Sequence, residues 1–292
     1  MIISRLLGGL GNQMFQYAAA CALAAAKRDS LLLDLSGFEE YTLHNGYELR
    51  RVFMIDVEPA SDAQIAQVIG WRANTLSKRI LKRKLFSFLR GAHLAVEPHF
   101  NHWPGLSRMP DQTYMMGYWQ SEIYFREFAP LIREQFRFRQ PAQGQNAQIA
   151  ESMSNGESVS VHVRRGDYIS DKKTQKILSV CSLDYYRNAF NHIARVTQNP
   201  ACYVFSDDID WAKKNLTFLK NPVFIQHNRG VDSHLDMMLM STCKHHIIAN
   251  STFSWWGAWL NPSPEKIVVA PANWFCDDTS DADLVPPQWL RL

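Results

Sequence analysis

No stretch of the 292 residues stays apolar for the roughly 20 positions that a bilayer-spanning helix needs. The longest candidate, residues 18–26, follows glycines and the polar pair Asn12 and Gln13 where a signal peptide would carry positive charge, so it reads as a buried helix. Clustered cysteine is lacking too. Cys21, Cys181, Cys202, Cys243 and Cys276 are odd in number, widely spaced and without a C-x-x-C, which removes a zinc or redox motif and fits a reducing cytosol. A net charge of only +3 falls short of the basicity that drives non-specific nucleic-acid binding, so no nucleic-acid partner is expected and any anionic ligand must be met locally. Internal repeats and low-complexity tracts are absent. These absences make a cytoplasmic globular protein the expectation.

What is present is enough hydrophobic residue, 46%, to build one large core or two ordinary ones. The 9 Trp and 16 Phe serve mostly as core, although aromatic faces also stack on sugars and bases. Residues 2–7, 8–13, 14–28 and 31–35 alternate as strand, glycine turn, helix and strand, which is how a nucleotide-binding fold opens. Residues 41–140 are less regular, with helical patterns near 61–70, 75–90 and 121–135. The QPAQGQNAQ run at 140–148 reads as a linker. Beyond it, strands at 159–163, 203–206, 223–226, 246–249 and 267–270 alternate with helices at 183–196, 209–216, 233–242 and 255–260, a pattern of parallel sheet covered on both faces. The expected fold is α/β and GT-B-like: two Rossmann-like halves facing a cleft, residues 1–145 and 146–292.

Four segments carry candidate chemistry. GGLGNQ opens the first helix, where Gly9 and Gly11 let backbone approach a ligand and Asn12 and Gln13 suit sugar hydroxyls; a plain tight turn is the alternative. HVRRGDY leaves a β-branched strand, with His162 and Arg164 on one side and Arg165 on the other. Paired guanidiniums hold a diphosphate without a metal, whereas an Arg165–Asp167 ion pair is the structural alternative. In FSDDIDW, Asp207, Asp208 and Asp210 form either a metal-bridging D-x-D or a helix start capped by Asp208. The arginines favour the cap, with Asp207 kept among the substrate-binding residues and no metal expected. In ANSTFSWWGAW, Asn250, Ser251, Thr252, Phe253 and Ser254 stand at a helix N-terminus, a phosphate site needing no net charge, while Trp255, Trp256 and Trp259 read as core. Asp236 lies in an apolar helix and needs a partner, which a guanine edge or an arginine would supply equally well.

The stretches GGLGNQMFQYA, HVRRGDY, SDD and ANSTFSWWGAWL, in this order, resemble the bacterial α-1,2-fucosyltransferases of glycosyltransferase family 11 across residues 8–260. The resemblance implies a GT-B architecture and inverting transfer of L-fucose from GDP-β-L-fucose to the 2-hydroxyl of a galactoside, with no cofactor. The acceptor would be a galactose-terminated oligosaccharide or lipid-linked glycan bound by the first half, with the donor in the second. Wider likeness to inverting fucosyltransferases assigns His162 and Asp236 to guanine, Arg164 to the β-phosphate and Ser254 to phosphate. Arg164 and the 251–254 helix start would stabilise charge developing on the departing GDP. Asp167, three residues from Arg164, is the candidate base for the acceptor hydroxyl. The rivals are an inverting fucosyltransferase of another linkage or acceptor and a non-catalytic nucleotide-sugar binder.

Residues 76–90, LSKRILKRKLFSFLR, place Leu76, Ile80, Leu81, Leu85, Phe88 and Leu89 at helical spacing between basic residues. Such a helix lies either peripherally on the inner face of an anionic membrane or packed with a solvated basic face.

Overall fold

The computed structural model describes residues 1–38, 45–172, 174–178 and 180–292, with backbone alone for Asp167 and Ser170. The chain divides into two compact units, Met1–Arg139 with Ala282–Leu284 and Gln140–Asp281 with Val285–Leu292.

In the first unit, β1 (Ile2–Arg5) leads into α1 (Leu10–Lys27) and β2 (Leu31–Asp34). The helices α2 (Leu49–Val52), α3 (Asp62–Ile69) and α4 (Thr75–Leu81) follow, then β3 (Leu94–Val96), β4 (Thr113–Met116) and α5 (Ala129–Gln135). The sheet runs β2-β1-β4-β3, every pair parallel. Its faces are covered differently. The alanine-rich side of α1 lets helix backbone lie close over Ile2, Ala95 and Met115. On the other face Ile65, Val68, Ile69 and Leu81 pack on Ile3, Tyr114 and Met116. Each fully buried Ile or Leu contributes roughly 1.5–3 kcal/mol. At the carboxyl end of β2, buried Asp34 accepts from Lys78 Nζ at 2.7 Å, from the amide of Ser36 at 2.9 Å and from the Tyr114 hydroxyl.

This unit corrects three expectations. The strands β3 and β4 fall within residues 41–140, where only helical patterns were expected. They are three and four residues long, and runs such as Leu-Ala-Val and Thr-Tyr-Met-Met are ambiguous between helix and strand until partners line up. The 75–90 segment is not one helix: Arg83 is extended (ψ 134°), separating α4 from a 3₁₀ turn over Lys84–Leu89. Residues 121–128 likewise form short 3₁₀ turns before α5.

The second unit opens with α6 (Gly144–Asn155), which begins inside the run read as linker, and β5 (Ser158–Val163). There follow α7 (Gly166–Ser170), α8 (Leu183–Val196), β6 (Ala201–Ser206), α9 (Ile209–Asn215) and β7 (Val223–Ile225). α10 (His234–Thr242), β8 (His245–Ile247), α11 (Thr252–Leu260), β9 (Val268–Ala270) and β10 (Leu290–Arg291) complete it. All pairs are parallel, in the order β10-β9-β8-β5-β6-β7. β5 is buried along its whole length. Val159, Val161 and Val163 pack with Tyr186, Ala189 and Ile193 of α8. Of the alternate polar residues, Ser158 donates to Met153 O and Ser160 shares a hydrogen bond with His246. Trp255, Trp256 and Trp259 are core, as expected.

Candidate functional site

The strand order of the second unit reverses at β5. The chain adds β6 and β7 on one side, then crosses to add β8, β9 and β10 on the other. In open parallel sheets the loops at such a switch point diverge and leave a crevice at the carboxyl ends of the strands. The segments 164–166 after β5 and 248–251 after β8 border it, and side chains tie them together. The Tyr168 hydroxyl donates to Asn250 O at 2.7 Å, and the rings of His162 and Phe253 lie 6.0 Å apart. The sequence-level candidates of HVRRGDY and ANSTFSWW are therefore brought together.

His162, the penultimate residue of β5, is almost fully buried, and its Nδ1 has no hydrogen-bond partner among the described residues. Burial, reinforced by the nearby Arg164 charge, pushes its pKa down to about 3, so the ring is neutral at physiological pH. A buried polar atom without a partner costs free energy that a ligand group can recover.

The arginine loop is held by carboxylates from the end of β6. Asp207 accepts from the amides of Arg165 (2.9 Å) and Gly166 (3.0 Å) and pairs with Arg164 Nε at 3.1 Å. A Cβ at Gly166 would stand 2.9 Å from the Asp207 carboxylate, so a side chain there would push the loop off its anchor. Arg165 pairs with Asp208 at 3.2 Å and stacks on Trp211, its guanidinium carbon 3.9 Å from the ring centre. Asp208 also caps α9 by accepting from the Trp211 amide. The ion pair of Arg165 is thus with Asp208, and it gives Arg165 a structural anchor rather than an open face. The Asp207 oxygens likewise shape the loop through these three contacts. The side chain of Asp167 lies outside the described residues.

At the third motif, Ser251 stands at the N-cap of α11, Thr252 and Phe253 form its first positions, and no side-chain cap bond occupies the helix start. The first amides of a helix have no intrahelical acceptor and attract anions. Ser254 is buried and its hydroxyl turns back to Ser251 O at 3.3 Å, so its contribution to a phosphate would come through backbone. Asn250 is also buried, donating to Trp274 O, and fixes the loop. Asp236, at the start of α10, accepts from Asn228 Nδ2 at 2.8 Å. Burial drives its pKa up to about 7 against the lowering effect of that bond. Asn228 in turn exchanges two hydrogen bonds with Asn146. Nothing in the sequence marked this asparagine pair, because its members are 82 residues apart.

The first unit has its own switch point between β1 and β4. Gly8 there has φ +87°, a left-handed conformation that glycine adopts without strain, and Gly9 is the N-cap of α1. Gly11 and Asn12 lie in the first turn, and Asn12 Oδ1 accepts from Gln120 at 2.9 Å. Gln13 departs from expectation. It is buried, donating to Gly8 O and Gly46 O and accepting from the Glu48 amide, so it latches backbone rather than facing a sugar. The sequence reading also passed over Glu97, which follows β3 and accepts from the amides of Tyr118 and Trp119 at 2.7 and 2.8 Å. Burial raises its pKa to about 7. A lone Glu outside any motif carried no signal.

Among the described residues no group of three or more His, Cys, Asp or Glu is arranged to hold a metal ion. A family model described as Glycosyl transferase family 11 matches residues 71–292. An Escherichia coli alpha-1,2-colitosyltransferase is 35% identical, the match covering 100% of this chain and 99% of the relative. The mouse galactoside 2-alpha-L-fucosyltransferase Sec1 is 26% identical over 89% of this chain and 64% of its own length. Among solved structures, the alpha-1,6-fucosyltransferase NodZ soaked with GDP-fucose superposes with a TM-score of 0.56 at 17% identity, covering 89% of this chain and 92% of that one. Arabidopsis thaliana FUT1 in complex with GDP gives a TM-score of 0.52 at 12% identity, covering 95% and 72%. The architecture is accordingly GT-B-like. Two parallel-sheet units, an arginine loop and a helix N-terminus at a switch point, and a matching family model over most of the chain together establish that this protein belongs to glycosyltransferase family 11.

Proposed function

We propose that the protein transfers L-fucose from GDP-β-L-fucose to the 2-hydroxyl of a terminal galactoside, inverting to an α-1,2 linkage without a metal. The observation that carries the reading is the convergence of His162, Arg164 and the α11 N-terminus at the switch point of the second unit. In this reading His162 and Asp236 take guanine, whose N1–H and N2–H₂ donors suit a carboxylate. Arg164 and the amides of Thr252–Ser254 take the diphosphate and its developing charge as the C1–O bond to GDP breaks. The N-terminal unit takes the acceptor, with Asn12 in the first turn of α1 and Glu97 just after β3. The base for the acceptor proton is assigned to Asp167, from its position three residues after Arg164.

The similarity to a colitosyltransferase favours one second reading, in which the sugar moved is colitose, which is L-fucose without its 3-hydroxyl. A site that hydrogen-bonds that hydroxyl discriminates strongly against the analogue lacking it. Turnover of GDP-fucose and GDP-colitose with a galactoside, with NMR of the product linkage, decides between them. Preferred use of GDP-fucose and an α-1,2 product are expected; exclusive use of GDP-colitose, or another linkage, would overturn the proposal. Activity is expected to survive EDTA, because Asp207 and Asp208 are engaged by the arginine loop and the α9 start. Loss on chelation with rescue by Mn²⁺ would return Asp207 and Asp208 to metal ligation.

A pH signature follows from Asp236. Guanine binds the ionised carboxylate, so with a pKa near 7 in the free protein, GDP affinity should rise about tenfold between pH 6 and pH 8. In Asp236→Asn the part of this rise that exceeds the titration of GDP itself disappears. Calorimetry of both proteins across that range checks it, and superimposable profiles would leave Asp236 a structural group.

A further inference from the structure

The segment following α3 is packed by only some of its residues. Leu81 is buried and Leu89 joins the same core, while Lys78 is consumed by Asp34. Arg90 folds back onto Leu81 O and Lys82 O, and Arg72 Nε donates to Leu89 O, so the bend at Arg83 is tied from both sides. What this shape leaves outside is apolar and basic at once. Trp71, Leu76, Ile80, Leu85 and Phe88 are 57%, 68%, 37%, 77% and 79% exposed, five of the thirteen large hydrophobic residues exposed among those described. Arg79, Arg83 and Lys84 stand exposed between them.

Charge is just as one-sided. Between Asp62 and Glu97 there is no acidic residue, and the stretch holds seven Lys and Arg. That exceeds the net charge of +3 for the whole chain, so the remainder carries a net negative charge. A positive patch on an otherwise acidic molecule orients it toward an anionic surface.

We infer that residues 71–88 dock the protein reversibly on an anionic phospholipid surface, with Arg79, Arg83 and Lys84 at the headgroup phosphates and Leu76, Leu85 and Phe88 entering the headgroup–acyl boundary. Cations alone would equally suit a nucleic acid; it is the exposed aliphatic and aromatic side chains beside them that favour a bilayer, which takes up both. No described helix is long and apolar enough to cross a membrane. Attachment through exposed cations is sensitive to salt. The inference is independent of the donor and linkage proposed above.

The test is co-sedimentation of the full chain with vesicles of phosphatidylglycerol and phosphatidylcholine, and of phosphatidylcholine alone. Wild type should pellet with the anionic vesicles at low salt, stay in solution with the neutral ones, and be released as salt shortens the screening length. The triple variant Arg79→Gln, Arg83→Gln, Lys84→Gln should lose at least about tenfold in partitioning, since each basic residue near such a surface adds to binding. The double variant Leu85→Ser, Phe88→Ser should lose a similar factor with charge unchanged. All these positions are exposed, so unaltered melting curves should accompany the losses. Absence of wild-type binding to anionic vesicles overturns the inference. So does full binding by the double variant, or tighter binding to an oligonucleotide than to the vesicles, which would make the patch a plain polyanion site.

Discussion

Replacing Arg164 with lysine should lower kcat by about a hundredfold while changing the donor KM far less, the size expected for one lost donor to a developing oxyanion. Asp207 pairs with Nε and, through the amides of Arg165 and Gly166, sets the loop that carries the residue. The guanidinium plane is therefore fixed before substrate arrives. Lysine keeps the charge but offers one mobile ammonium, which cannot answer Asp207 and a diphosphate together with the geometry of a fork. Because negative charge on the β-phosphate grows as the glycosidic bond breaks, the deficit falls on the transition state and hence on kcat. Steady-state kinetics at saturating acceptor checks this. A kcat within about threefold of wild type would move the phosphate site away from Arg164.

The largest effect on stability should come from Lys78→Met. Lys78 and Asp34 are both nearly fully buried and joined at 2.7 Å, and removing one member of such a pair typically costs about 3–5 kcal/mol because the other charge stays behind. The double variant Asp34→Asn, Lys78→Met should recover much of this, since it leaves no uncompensated charge. The pH dependence gives a second signature. Burial works to raise the Asp34 pKa, but Lys78, Ser36 and Tyr114 hold it below its ordinary 3.8. In wild type the stabilisation from this carboxylate is thus present above pH 3.8 and lost as pH falls through the lower folded-state value. In Lys78→Met the cation is gone and burial raises the pKa instead, so the carboxyl takes up a proton at higher pH and the penalty fades on acidification. The gap between the two proteins should narrow as pH drops toward 4 in denaturant titrations, while equal stability at neutral pH would show the pair contributes nothing.

The family and the second unit were legible in the sequence because their signals are local. Short hydrophobic runs of four or five residues, each followed by a polar loop and most by a helix start, declare a parallel sheet without reference to distant partners. HVRRGDY and ANSTFSWWGAW carry their residue types within a few positions of each other, so their chemistry could be read before any fold was known. The same holds for the tryptophans of α11, whose apolar surroundings alone mark them as core.

Only the tertiary structure decided what each polar group is used for, since a hydrogen-bond partner is chosen by space and not by sequence separation. Asp207 reaches Arg164 and Gly166 across 43 and 41 residues to anchor a loop, and Arg165 finds Asp208 rather than the near neighbour Asp167. Gln13, a sugar-binding candidate by type, is consumed by three backbone groups. Glu97 and Asp236 owe their raised pKa values to burial that composition cannot express. β4 became a strand because β1 offered an edge to pair with and β3 because β4 did, and the basic segment lost its helix at Arg83, leaving Leu85 and Phe88 exposed. Periodicity along a chain sets which elements form; the partner that each side chain meets depends on how those elements pack.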